Sequence, residues 1–120
     1  MKITLGTAFG ILGPIRTLAA LPLPIKVGYW IGRRCVAVEK RAKEYDEQRA
    51  KLAGEHGATP TEVVPEDRRA AFVAAVTEMA GIEVDLPDWF APIKLSDIPE
   101  KCKVAGDVLM ALEEAGVLTE

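Results

Sequence analysis

Histidine is almost missing from this 120-residue chain and cysteine is scarce: His56 stands alone, and Cys35 and Cys102 are the only thiols. Those three side chains fall short of the roughly four Cys or His ligands that close a structural zinc site. A catalytic nucleophile needs a base beside it, and the chain offers no cluster of that kind. His56 sits between glycines at a helix end, the usual place of a solvated or dipole-facing ring. Phosphate-binding signatures are also missing. Gly6, Gly10 and Gly13 lack the Lys-Ser/Thr pair of a P-loop and the acidic partner of a dinucleotide fold. Asp85, Asp88 and Asp97 lack the spacing of a calcium loop. No catalytic residue, metal or cofactor is therefore expected, and the chain reads as non-enzymatic.

Aromatic residues make up only 6%, so a core has to be aliphatic and alanine-rich, in keeping with a helical protein. A long uninterrupted apolar run is lacking too. Residues 3–23 are largely apolar and look like a poor signal peptide, but Gly6, Gly10, Gly13, Pro14 and Arg16 interrupt them. A spanning helix needs about 20 apolar residues in a row, so a membrane partner is not expected. A membrane-associated accessory role survives only as an alternative. Cys35 and Cys102 form no C-x-x-C, which fits free thiols and synthesis in a reducing compartment.

What the chain does have is one long helical stretch, read from Pro24 to about His56. Pro24 suits a first helical position, no proline interrupts before Ala53, and Gly54 and Gly57 supply the stop. Ile31, Cys35, Val38, Ala42, Tyr45 and Leu52 recur at three- and four-residue steps, broken only at Arg49, which predicts a packed or coiled-coil seam. Glu39–Lys43, Lys40–Glu44 and Glu47–Lys51 are opposite charges four apart, each adding roughly 0.2–0.5 kcal/mol to an isolated helix. Some 30 residues at a rise of about 1.5 Å make a rod of about 45 Å. A compact domain of this length has a radius of gyration of only about 13–14 Å. The polar half of the rod is thus expected to overhang the body, or to lie against a partner or a second copy.

Around that rod the reading is mainly α, a single domain with a small β hairpin or strap. The segment before Pro22–Pro24 forms a helical hairpin with the rod, with Met1–Leu5 a short strand and Thr7 its cap. Gly6-x-x-x-Gly10 and Gly28-x-x-x-Gly32 are expected to let the two hairpin backbones approach closely. Residues 57–64 read as a loop, followed by a helix over 65–80 with Phe72, Val73, Val76, Met79 and Ala80 inward. Strands are predicted near 82–86 and 92–95, and a last helix over 101–115, after which Val117–Leu118 fold back on the core.

Charge is unevenly placed. Residues 1–56 carry ten Lys/Arg against five Asp/Glu, and residues 57–120 carry five against thirteen, for a net charge of −3. A basic front and an acidic back favour head-to-tail association or presentation of one sign to a partner. Arg33, Arg34, Lys40 and Arg41 recur at seven-residue spacing, as a phosphate-binding stripe would. Glu39, Glu44 and Glu47 sit among them and no helix-turn-helix pattern is present, so nucleic acid is not an expected partner.

The segments Leu23-Pro24-Ile25-Lys26, Tyr29, Ile31, Arg33, Glu39, Tyr45, Arg49 and Leu52, with Pro92-Ile93-Lys94-Leu95-Ser96 further on, resemble an uncharacterised family of small phage and prophage-encoded helical proteins. The resemblance spans most of the chain and implies a virion component or assembly factor, made in a host cytoplasm and incorporated into the virion. It carries no functional residues of its own. From the residues, the partner-binding surface is expected at Arg33, Arg34, Lys40, Arg41 and Tyr45 on the rod and at Trp89 and Phe90 on the strap. The expected partner is a phage structural or host protein, with the chain acting as a homo-oligomer. The alternative is an inhibitor or modulator of a host or competing-phage enzyme, acting by surface occlusion.

Overall fold

In a computed structural model describing all 120 residues, the longest element is a 31-residue helix, α2 (Ile25–Glu55). At about 1.5 Å per residue it runs about 46 Å, and the molecule measures 51 × 27 × 21 Å. Its radius of gyration is 16.8 Å, well above the roughly 13.5 Å of a compact domain this size. The rod is continuous and sets the length of the molecule.

A short strand β1 (Lys2–Thr4) leads into helix α1 (Leu5–Ala19), which lies against α2 as a hairpin. Thr4, not Thr7, caps α1: its Oγ1 accepts a hydrogen bond from the Thr7 amide at 3.2 Å. The seam on α2 is real. Ile31, Cys35, Val38 and Ala42 are buried, and Tyr45 and Leu52 are half-buried. Ile31, Cys35 and Val38 pack with Ala8, Ile11, Ile15 and Leu18 of α1, so the first half of the rod is covered within its own chain. The glycines do not make that contact. A Cβ on Gly10 or Gly32 would meet nothing within 4 Å, and one on Gly28 would meet only Leu23 at 3.7 Å. Gly6 does permit a close approach, but to the end of another helix: its Cβ would lie 2.9 Å from that of Ala80.

Helix α3 (Glu66–Ala80) starts after Pro65 and ends at Gly81, as its sequence predicts. Val73 was expected inside and is 55% exposed; of the anticipated stripe only Met79 is buried. The strands β2 (Glu83–Asp85) and β3 (Ile93–Lys94) form a strap, not a hairpin. Strand β2 pairs antiparallel with β1, Ile3 opposite Val84. Strand β3 pairs in parallel with β4 (Leu118–Thr119), so both chain ends pin the strap. One 3-10 turn, Leu95–Asp97, and a turn at Pro99–Cys102 precede helix α4. Helix α4 (Gly106–Glu114) starts later than the sequence suggests, because residues 99–102 form that turn instead.

Candidate interaction site

One sector of α2 gathers the basic and aromatic residues. Ile25, Tyr29, Gly32 and Val36 lie four, three and four residues apart, which places them in one line along the helix. Ile25 is 93% exposed, Val36 65% and Tyr29 58%. This line is separate from the buried seam. Between it and the strap lies an open trough of about 670 Å³ lined by Gly28, Gly32, Val36, Lys40, Pro87 and Trp89 among others. The missing side chains of Gly28 and Gly32 are what make the surface concave there.

Arg33 stands over the strap side of this trough. Its guanidinium carbon is 4.5 Å from the Trp89 ring centroid, 5.3 Å from Trp30 and 6.0 Å from Tyr29. Such contacts are worth about 0.5–1 kcal/mol at exposed sites. They hold the side chain in place without neutralising its charge. Lys40 lies one turn beyond Val36 and is exposed. Neither cation forms an ion pair within the chain, whose pairs are Arg16–Glu39, Arg41–Glu44 and Lys43–Glu47. Of the three predicted i,i+4 pairs none is made, because Glu39 reaches across the hairpin to Arg16, Glu44 turns to Arg41 and Glu47 faces Lys43.

The other expected contact residues have internal duties. Arg41 donates from Nε and Nη2 to the Asp85 carbonyl at 3.2 and 2.7 Å, and from Nη1 to both Glu44 carboxylate oxygens. It ties strand β2 to the rod. Tyr45 stacks on Phe9 with centroids 4.6 Å apart, closing the far end of the α1–α2 hairpin. Arg34 donates to the Ala91 carbonyl at 2.8 Å. Burial lowers its pKa from the ordinary arginine value, and Asp97 works in the other direction. Phe90 is only 4% exposed and belongs to the core, so its ring offers no surface to a partner. The expected set thus divides: Arg33, Lys40 and Trp89 line the trough, and Arg34, Arg41, Tyr45 and Phe90 hold the fold together.

Compared with known protein families, curated proteins and solved structures, the chain matches none. The chemistry has to be read from its own side chains. Burial raises the Cys35 thiol above its ordinary pKa, helped by the charge of Glu39 and by a 3.7 Å hydrogen bond donated to it, with Arg16 partly opposing. At neutral pH Cys35 is therefore a protonated core residue and a poor nucleophile. The His56 ring points Nδ1 at the Leu52 carbonyl, 2.8 Å away. A carbonyl only accepts, so Nδ1 carries the proton, and the ring also packs on Phe72 with centroids 5.9 Å apart. No three His, Cys, Asp or Glu side chains converge to hold a metal ion. No helix is long and apolar enough to cross a membrane.

The exposed line Ile25–Val36 was missed from the sequence, although its signal is there. Ile25, Tyr29 and Val36 share a helix face with both glycines, offset from the seam by one residue at Ile31–Gly32. A second apolar line on a helix whose first line is already covered marks a surface left open.

Proposed function

We propose that this protein is a non-catalytic interaction protein, a phage virion component or assembly factor, that docks a helix of a partner protein along the first half of α2. The observation that carries the proposal is the exposed line Ile25, Tyr29 and Val36, bordered by the unpaired cations Arg33 and Lys40. Covering a Val or Ile side chain is worth about 1.5–3 kcal/mol. The bordering charges select a partner helix whose apolar face is edged by Asp or Glu, since like charges there would be repelled. Gly28 and Gly32 let such a helix sit close to the α2 backbone. The resemblance to phage-encoded proteins supplies the assembly context.

The test is affinity purification of the tagged chain from cells in which virions are being assembled, alongside the variants Val36→Glu and Lys40→Glu. Both positions are exposed, so helix content by circular dichroism should not change. Retention of a virion protein by the wild-type chain, with loss in both variants, is the expected result. Equal retention by Val36→Glu would overturn the docking face. Recovery of a cellular enzyme in place of virion proteins would replace the assembly role by an inhibitory one.

A further inference from the structure

The far end of the rod presents a different surface. Helix α1 runs out beside Tyr45, where Phe9 stacks, and the α2 seam loses its cover from there on. Beyond that point α2 and α3 form the walls of an open groove of about 700 Å³. Its floor is apolar and mostly small: Ala50, Ala53, Ala58, Val63, Phe72 and Val73. Val63 is 79% exposed and Val73 55%. Helix α3 carries seven apolar residues in succession from Ala70 to Val76, yet Ala70, Ala71, Val73 and Ala74 all face out. A helix that is apolar on most of its circumference belongs in an interior, and this chain has no element left to cover it.

The rim of the groove indicates what does. Asp46 and Arg49 on α2, Glu62 on the loop and Arg69 on α3 are two anions and two cations, all exposed. None forms an ion pair within the chain. A partner of one sign would leave two of these four charges facing their like. A copy of the same groove brings two of each sign, and a two-fold axis makes every contact reciprocal. The alanines on the floor allow helices to pack at the short end of the usual 8–10 Å separation.

We propose that this groove closes on the same groove of a second copy, giving a two-fold dimer in which α2 and α3 of both chains make a four-helix bundle. The inference does not depend on the partner proposed for the Ile25–Val36 line, whose centre lies about 28 Å away along the same helix, some 19 residues at about 1.5 Å each. Loss of one contact leaves the other intact.

Sedimentation equilibrium of the full chain tests it, at concentrations up to about 100 µM, about a hundredfold above a micromolar Kd. The expected mass is twice the 13.0 kDa of one chain. Val73→Glu should weaken self-association roughly tenfold or more, because it places a carboxylate on an apolar floor. The double variant Arg49→Glu/Arg69→Glu makes the rim wholly acidic, and Asp46→Lys/Glu62→Lys makes it wholly basic. Each should be monomeric alone, and an equimolar mixture should form a heterodimer. All five substituted side chains are exposed, so unchanged circular dichroism will show that the fold survives. A wild-type monomer at the highest concentration would overturn the proposal. So would a dimer indifferent to Val73→Glu, or oppositely charged variants that ignore each other.

Discussion

The two ends of the rod differ in composition, largely apolar over residues 25–38 and mostly charged over 39–55, and they are finished to different degrees. At the near end, α1 and the strap cover the first half of α2, α4 packs against α1, and the fifteen residues of the continuous core join these elements. At the far end, residues 43–82 contribute only Val64 and Met79 to the buried set. Both ends are helical, so helix formation alone does not distinguish them. What differs is the number of faces covered. The near half of α2 has its seam sealed by Ile11, Ile15 and Leu18, whereas the far half packs on α3 along one side and leaves Ala50, Val63 and Val73 exposed. Helices get most of their stability from packing of an apolar face. The far end should therefore open at lower free energy than the near end in an isolated chain.

The sharpest way to break this comparison is truncation at each end. Ile15 is fully buried, and Ile15→Ala should cost about 2–5 kcal/mol in chemical denaturation. Val73→Ala at the far end should cost under about 1 kcal/mol in the monomer, since more than half of that side chain is already in water. Equal losses at the two sites would contradict the contrast.

Glycine substitutions of opposite sign sharpen it further. At Gly6 an added methyl would press on Ala80 at 2.9 Å and its carbonyl at 3.2 Å, where neither atom can swing aside. Gly6→Ala should therefore destabilise by about 1–2 kcal/mol, overpacking outweighing the gain in helix propensity. Gly10→Ala meets nothing and should stabilise by about 0.5–1 kcal/mol, both read from thermal melts. A smaller effect is expected at Arg41, whose removal leaves the Asp85 carbonyl without its bidentate donor. Arg41→Ala should cost about 1 kcal/mol and speed hydrogen exchange in strands β1 and β2.

The least perturbing probe is thiol labelling. Cys35 is 7% exposed and Cys102 is half-buried, so a thiol reagent at neutral pH should modify Cys102 and spare Cys35 until the hairpin opens. Because the folded chain holds the Cys35 proton more tightly than the unfolded chain does, this group's contribution to stability is complete below the ordinary thiol pKa. It is lost as pH rises from about 8.5 toward the raised folded value. Labelling of Cys35 in the native protein as fast as Cys102 would show that the seam is not closed.

Much of this architecture was legible because it is local. Pro24 and Pro65 at helix starts, Gly81 after α3 and the steps from Ile31 to Ala42 each act within a turn or two of chain. The strand partners were not legible. Strands of two and three residues carry almost no periodicity, and their mates are the two chain termini, some 80 residues from β2 and 25 from β3. The contact set on the rod was half legible for the same reason. Lys40 is free because Glu39 and Glu44 are engaged by Arg16 and Arg41, Arg33 lies over aromatic rings with no carboxylate within four residues along the helix, and Arg41 is engaged because Asp85 is brought to it. Glu39 choosing Arg16 over Lys43 is a tertiary decision. Gly32 reads the same whether its face is buried or open.

Hydrogen exchange followed by mass spectrometry at low and high chain concentration tests the central contrast most directly. Amides of residues 31–42 should be equally protected at both concentrations, held by α1 and the strap of the same chain. Those of residues 46–55 and 66–80 should exchange faster in dilute solution and gain protection as copies pair. Protection in 66–80 that matches 31–42 and does not change with concentration would contradict the account, because the far end would then be complete by itself.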